Sequence, residues 1–178
     1  SFGLGLLSKY AMAYLLPCLA IAALVDADSR RTLRRPDVWL ALAVGLLIFS
    51  PNLAWNALNG AVTLQHTADN ARGEGLGLDV GSGLEFIAAQ FLLAGPVVLA
   101  AVAMAAVRPS TVRPDERMMM ALSLPVLLAL TALALLGRAH ANWAATALIA
   151  VWVLSGLLFA RNRLQLWPVA GLLLGVAL

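Results

Sequence analysis

Lys9, Arg138, His140, Asn142 and Trp143 are the residues of this chain whose types and spacing could do chemistry. The last four crowd into "GRAHANWAA" (137–145), a connection between two long apolar runs where a bare turn would suffice. A guanidinium presents a fixed fork of donors that suits phosphate, and an ammonium is a compact second cation. If a lipid-linked phosphate docks there, Arg138 and Lys9 would be its natural counter-ions. Asn52, Trp55, Asn56, Gln65, His66 and Asn70 form a second polar group within residues 51–71. Plainer readings stand beside these. Lys9 lies within two turns of a span end, where a lysine stem can snorkel to the interface. Trp55 and Trp143 have the indole that favours a membrane boundary. His66 and His140 read singly as loop histidines, and two histidines without a carboxylate or cysteine cluster make no metal site.

The elements that must hold these residues are membrane helices. Of 178 residues, 62% are hydrophobic and 12% charged, with a mean hydropathy of +0.88. Apolar runs of roughly twenty residues, the length that crosses a bilayer core, recur between short charged clusters. The fold class expected is all-α, a polytopic bundle of about six spans at 3–25, 38–58, 85–107, 118–136, 143–160 and from 167 onward. Residues 1–178 read as the transmembrane part of one larger membrane domain, truncated at both ends. Cys18 lies mid-span and reads as a small apolar residue. Pro17, Pro51, Pro96 and Pro125 fall inside spans and are expected to kink them.

Charge gives the sidedness. Nine of the twelve basic residues fall in three connections, 26–37, 108–117 and 161–166, while Lys9, Arg72 and Arg138 are the exceptions. The positive-inside rule makes those three connections cytoplasmic and turns 59–84 and 137–142 outward, so that the chain enters from outside. The polar residues then gather at the outer face. The net charge of +3 comes with no basic face interleaved with aromatics, so no nucleic acid is implied. A transporter or lipid flippase is the alternative function, but it calls for polar residues at the bilayer midplane, where this chain is nearly all apolar.

Two motifs carry less than they suggest. "DAD" (26–28) has the form of a D-x-D metal clamp, yet two short acids at a helix end beside four arginines are more simply a charge-balanced turn. "GEGLG" (73–77) lacks the preceding strand and following helix that would aim a phosphate loop.

Read together, "GLGLLSKY" (3–10), "PNLAWNALNGAVTLQHTADNA" (51–71) and "GRAHANWAA" resemble the central part of bacterial membrane glycosyltransferases of the dolichyl-phosphate-mannose protein mannosyltransferase type, relatives of the lipid A aminoarabinose transferase. "GPVVLAA" (95–101) and "SLPVLLAL" (123–130) extend the likeness. The resemblance implies a GT-C type, inverting hexosyl- or pentosyltransferase of the bacterial cytoplasmic membrane. It would take a sugar from a polyprenyl-phosphate donor at the outer face to a lipid, glycan or protein acceptor, among membrane lipids. The carboxylate base belongs in a first outer loop upstream, so no catalytic residue is expected in this fragment. The substrate-binding set implied is Lys9 and Arg138 on the leaving phosphate, with His66, His140, Asn56, Gln65 and Asn142 holding sugar hydroxyls or loops, and Trp55 and Trp143 beside them. Tyr10 stands where the lipid A branch commonly has glycine, which leaves the substrate branch open. No metal site is expected; no cofactor follows from these residues, and a divalent cation is left open.

Overall fold

The computed structural model describes residues 2–71, 78–137 and 139–161, and every described element is helical. Nine α-helices follow in order: α1 Phe2–Ser8, α2 Leu15–Val25, α3 Ala27–Leu33, α4 Pro36–Leu58, α5 Val62–Ala71, α6 Val80–Ala94, α7 Pro96–Val107, α8 Pro114–Leu136 and α9 Ala145–Arg161. Three 3₁₀ turns, Tyr10–Tyr14, Pro109–Thr111 and Ala141–Ala144, join them. The chain is an all-α membrane protein. Three of its helical stretches, Pro36–Leu58, Pro114–Leu136 and Ala141–Arg161, are long and apolar enough to cross a bilayer unbroken.

Six spans were expected; the two that differ do so for identifiable backbone reasons. The first, expected over 3–25, is interrupted at Lys9, whose φ of −156° and ψ of 124° are extended, not helical. A methyl group added at Gly5 would lie 2.8 Å from Met12 Cγ. In one continuous helix those positions stand about 10 Å apart along the axis, so the chain folds over at Lys9. Gly3 packs on Gly45, midway along α4, and Tyr10 bonds Asn52 nearer its end. Helix α1 therefore runs alongside α4, and the single span expected over 3–25 is replaced by two helical segments that meet at a turn. The third span, expected over 85–107, breaks between Ala94 and Pro96 with a bend of 107°. Gly95 has φ +86°, a region that side chains disfavour, and Pro96 brings no N–H to continue the ladder. A break results where a kink was expected. Pro51 and Pro125 are carried inside continuous helices, and Pro17 falls in the first turn of α2, where a missing donor costs little. The expected span from 167 lies outside the described residues.

Helix α8 is the centre of the bundle, packed by α2, α6 and α9. Its buried Ser123, Val126, Leu130 and Ala134 recur at helical spacing, as do Ala147, Leu148, Val151, Leu154, Ser155 and Leu158 on α9, each a single stripe turned to its neighbours. Small residues let these backbones approach, and dispersion across the contact holds them. The buried serines donate to carbonyls four residues back, Ser123 to Met119 at 2.8 Å and Ser155 to Val151 at 2.9 Å, so neither of these two hydroxyls is stranded in the apolar layer. Cys18 joins the same interior, 2% exposed.

At the arginine-rich end, Asp26 caps α3 by accepting from the Ser29 N–H at 2.7 Å. That backbone hydrogen bond holds its carboxyl below the usual aspartate value, because it favours the ionised form. Asp28 pairs with Arg31 at 3.0 Å. The "DAD" stretch is thus a cap and an exposed ion pair, as its simpler reading has it. Nearby, buried Glu116 accepts from Arg161 at 2.9 Å and from the Arg113 N–H at 2.8 Å, tying the start of α8 to the end of α9.

Candidate functional site

The turn at Lys9 opens a cleft of about 420 Å³ lined by Lys9, Tyr10, Tyr14, Asn52, Thr63 and Trp143 among others. The fold-back creates it. An extended residue between two helical segments frees backbone groups, which membrane proteins tolerate only where they line a cavity or meet protein partners. The Lys9 ammonium donates to the Asn142 carbonyl oxygen at 2.5 Å, so the first polar stretch and "GRAHANWAA" meet across 133 residues of chain. An ammonium has three donors. Among the described residues one is used, to Asn142, which leaves two for an anion entering the cleft.

The floor is a tyrosine–amide network. The Tyr10 hydroxyl donates to Asn52 Oδ1 at 2.6 Å; Asn56 Nδ2 reaches the Tyr10 oxygen at 3.3 Å and the Asn52 carbonyl at 3.0 Å. Asn56 Oδ1 accepts the Thr63 N–H at 3.2 Å, and Asn56 itself is only 3% exposed. A buried amide with both ends satisfied sets one arrangement of the elements around it. Here it joins the 3₁₀ turn, α4 and the start of α5. Tyr10 also meets Phe49 edge to face at 5.7 Å. Tyr10→Phe is expected to cost about 1–2 kcal/mol by leaving buried amide atoms short of a partner, measured as a lowered unfolding midpoint in detergent.

A second cleft, of about 340 Å³, lies on the other flank of the same connection and is lined by Ser82, Glu85, Phe86, Ala89, His140 and its neighbours. The segment between the clefts is held from both sides. Gln90 on α6 reaches the Ala141 carbonyl at 3.4 Å, one residue before the carbonyl taken by Lys9. The rings of His140 and Trp143 meet at 5.4 Å, inclined by 65°.

The residues singled out from the sequence therefore divide. Lys9 and Trp143 share the first cleft; Asn56 lies in its floor; His140 lines the second. Asn142 contributes its carbonyl oxygen, so it is the backbone that Lys9 meets. Trp55 is 52% exposed on the outside of α4 and lines neither cleft, as suits an interfacial indole. Gln65 turns back to the Gly60 carbonyl at 2.8 Å and His66 is exposed on α5; α5 is itself a helix where a loop was expected. Arg138 and residues 72–77, including the whole "GEGLG" stretch, lie outside the described residues. Sequence reasoning passed over Tyr14 and Gln90, and gave Thr63 no role of its own within the 51–71 stretch. Tyr14 follows Tyr10 by four positions, and Gln90 is a lone amide in an apolar run, a signal that polar residues at membrane depth give by default. Thr63 offered none.

Residues 1–55 match the family model described as dolichyl-phosphate-mannose-protein mannosyltransferase. Over 159 residues, 85% of this chain, the sequence is 41% identical to lipid A galacturonosyltransferase RgtD of Rhizobium johnstonii. The aligned part is 33% of that relative's length, so the chain spans about a third of it. No solved structure matches. The family match covers α1, α2, α3 and most of α4, with Lys9, Tyr10 and Asn52 of the turn and its floor but not Asn56 or Thr63, and the longer alignment reaches well beyond them: this chain is related to membrane glycosyltransferases of the dolichyl-phosphate-mannose protein mannosyltransferase type.

Proposed function

We propose that this chain supplies the lipid-phosphate side of a membrane glycosyltransferase active at the outer face of the bacterial cytoplasmic membrane. The observation that carries the reading is Lys9: a cation at the fold-back of a broken apolar segment, facing a cleft walled by tyrosines, an amide and an indole. An isolated charge at that depth is costly, and a phosphate repays it. The donor is a sugar on a polyprenyl phosphate, whose chain would lie along the apolar surface of the helices while its phosphate meets Lys9 and Arg138. The acceptor is a lipid, glycan or protein hydroxyl; the name of the Rhizobium relative favours lipid A.

The reaction is a single displacement with inversion. A carboxylate in a first outer loop, upstream of Ser1, takes the acceptor proton as the acceptor oxygen attacks the anomeric carbon, and the bond to the phosphate oxygen breaks. Charge grows on the leaving phosphate, and preset cations lower that barrier. Asn56 and its network hold the turn that aims Lys9. The Asp and Glu residues of this chain are assigned no proton transfer.

The test is transfer of labelled sugar from a polyprenyl-phosphate donor to lipid A in vesicles containing the full-length protein. Labelled acceptor that survives lipid extraction is the expected product. Substrate accumulation inside the vesicles without any glycosylated product would instead make the protein a transporter.

A further inference from the structure

We infer that the second cleft, beside His140, is the seat of the acceptor's sugar headgroup, an inference that rests on the transferase reading above. Ser82, Glu85, Phe86 and Ala89 recur at i, i+3, i+4 and i+7 of α6 and so form one face of that helix, opposite the 139–141 segment. The face is graded along its length. Ser82 and Glu85, at the end where α6 begins, are polar; Phe86 and Ala89, further along, are apolar. An amphiphile with a hydroxyl-rich head and an acyl tail has the same gradient.

The Glu85 carboxylate is exposed and has no hydrogen-bond or ion-pair partner among the described residues. Its two oxygens can accept adjacent sugar hydroxyls, and the His140 imidazole adds a donor or acceptor across the gap. Ser82 is already committed, donating to Asp79 at 2.8 Å, and keeps its acceptor lone pairs. The cleft's size of about 340 Å³ falls within the range of about 300–1,000 Å³ usual for small-molecule sites, enough for one sugar ring.

Its position supports a substrate of the same reaction. Two reactants must be held against one another for displacement to gain from proximity, and here the two clefts share a wall. Trp143 lines one, His140 lines the other, and their rings are in contact. The peptides between are fastened by Gln90 on one side and Lys9 on the other. Glu85 is assigned binding alone.

The experiment compares wild-type, Glu85→Gln and Ala89→Leu full-length protein in nanodiscs. Glu85→Gln keeps the shape of the side chain and weakens its acceptance of hydroxyls; Ala89→Leu fills the apolar end. Both are expected to raise the acceptor KM about tenfold and leave the donor KM where it was. Unchanged acceptor KM in both, or equal shifts for donor and acceptor, would overturn the assignment. Binding of dodecyl maltoside below its micellar concentration, a neutral sugar-headed amphiphile, is measured on the same proteins. Should the wild type transfer no sugar at all, the transferase reading fails by itself, and the binding measurement decides the cleft: weaker binding by both variants upholds a sugar-head site, and equal binding removes it.

Discussion

Lys9→Ala in the full-length protein is expected to lower kcat for sugar transfer by about two to three orders of magnitude, the usual loss when one preset stabiliser of developing negative charge is removed. Membrane insertion should be unaffected, since the change makes the segment more apolar. Lys9 has two roles, and they separate. Its ammonium fastens the Asn142 carbonyl and faces the cleft as a charge. Lys9→Gln keeps a donor for the carbonyl and loses the charge; Lys9→Arg keeps the charge on a longer, planar head. If phosphate stabilisation is the larger role, Gln behaves like Ala and Arg recovers part of the rate. Turnover near wild type in Lys9→Gln would assign the residue to holding the loop. Arg138→Ala should lower kcat in the same direction.

Gly3→Val should destabilise the protein by about 1–3 kcal/mol, the range for forcing atoms into a filled contact. A Cβ at Gly3 would lie 2.9 Å from both the Gly45 carbonyl carbon and Ile48 Cβ. The first of these is backbone and cannot rotate away, so α1 must leave α4. Displacing α1 moves the turn it ends in, and donor KM should rise with the loss of stability. Gly156 is the control: a Cβ there meets nothing within 4 Å, and alanine in a helix interior is favoured over glycine by about 1 kcal/mol. Thermal unfolding in detergent, followed for Gly3→Val, Gly45→Ala and Gly156→Ala, should rank them in that order of damage. Gly3→Val with an unchanged midpoint would mean that the close approach of α1 and α4 contributes no stability.

How much of this was legible beforehand depends on which interactions set each feature. The apolar runs at 38–58, 118–136 and 143–160 became helices at nearly those bounds because span length and hydropathy are local quantities, and a bilayer demands that each segment satisfy its own backbone. The family likeness was legible for a similar reason, being written in short stretches read in line. The broken spans were not. "SKY" and "GPV" are weak interruptions in apolar text, and each becomes a break through context: Gly95 adopts a positive φ that precedes a proline, and Lys9 turns extended where α1 meets Gly45 and Tyr10 meets Asn52.

The sequence by itself determined an all-helical membrane chain, with its polar residues gathered at the end opposite the arginine-rich connections, because composition, run length and charge asymmetry need no knowledge of distant contacts. It also brought Lys9 and "GRAHANWAA" to the same level. Only the tertiary structure decided that these two touch, that the contact is to a carbonyl and not to the Asn142 amide, that Tyr10, Asn52 and Asn56 form one floor, and that Trp55 stands apart. Those outcomes rest on which face of a helix turns inward and on where the chain doubles back, and both are settled by packing between segments up to 133 residues apart.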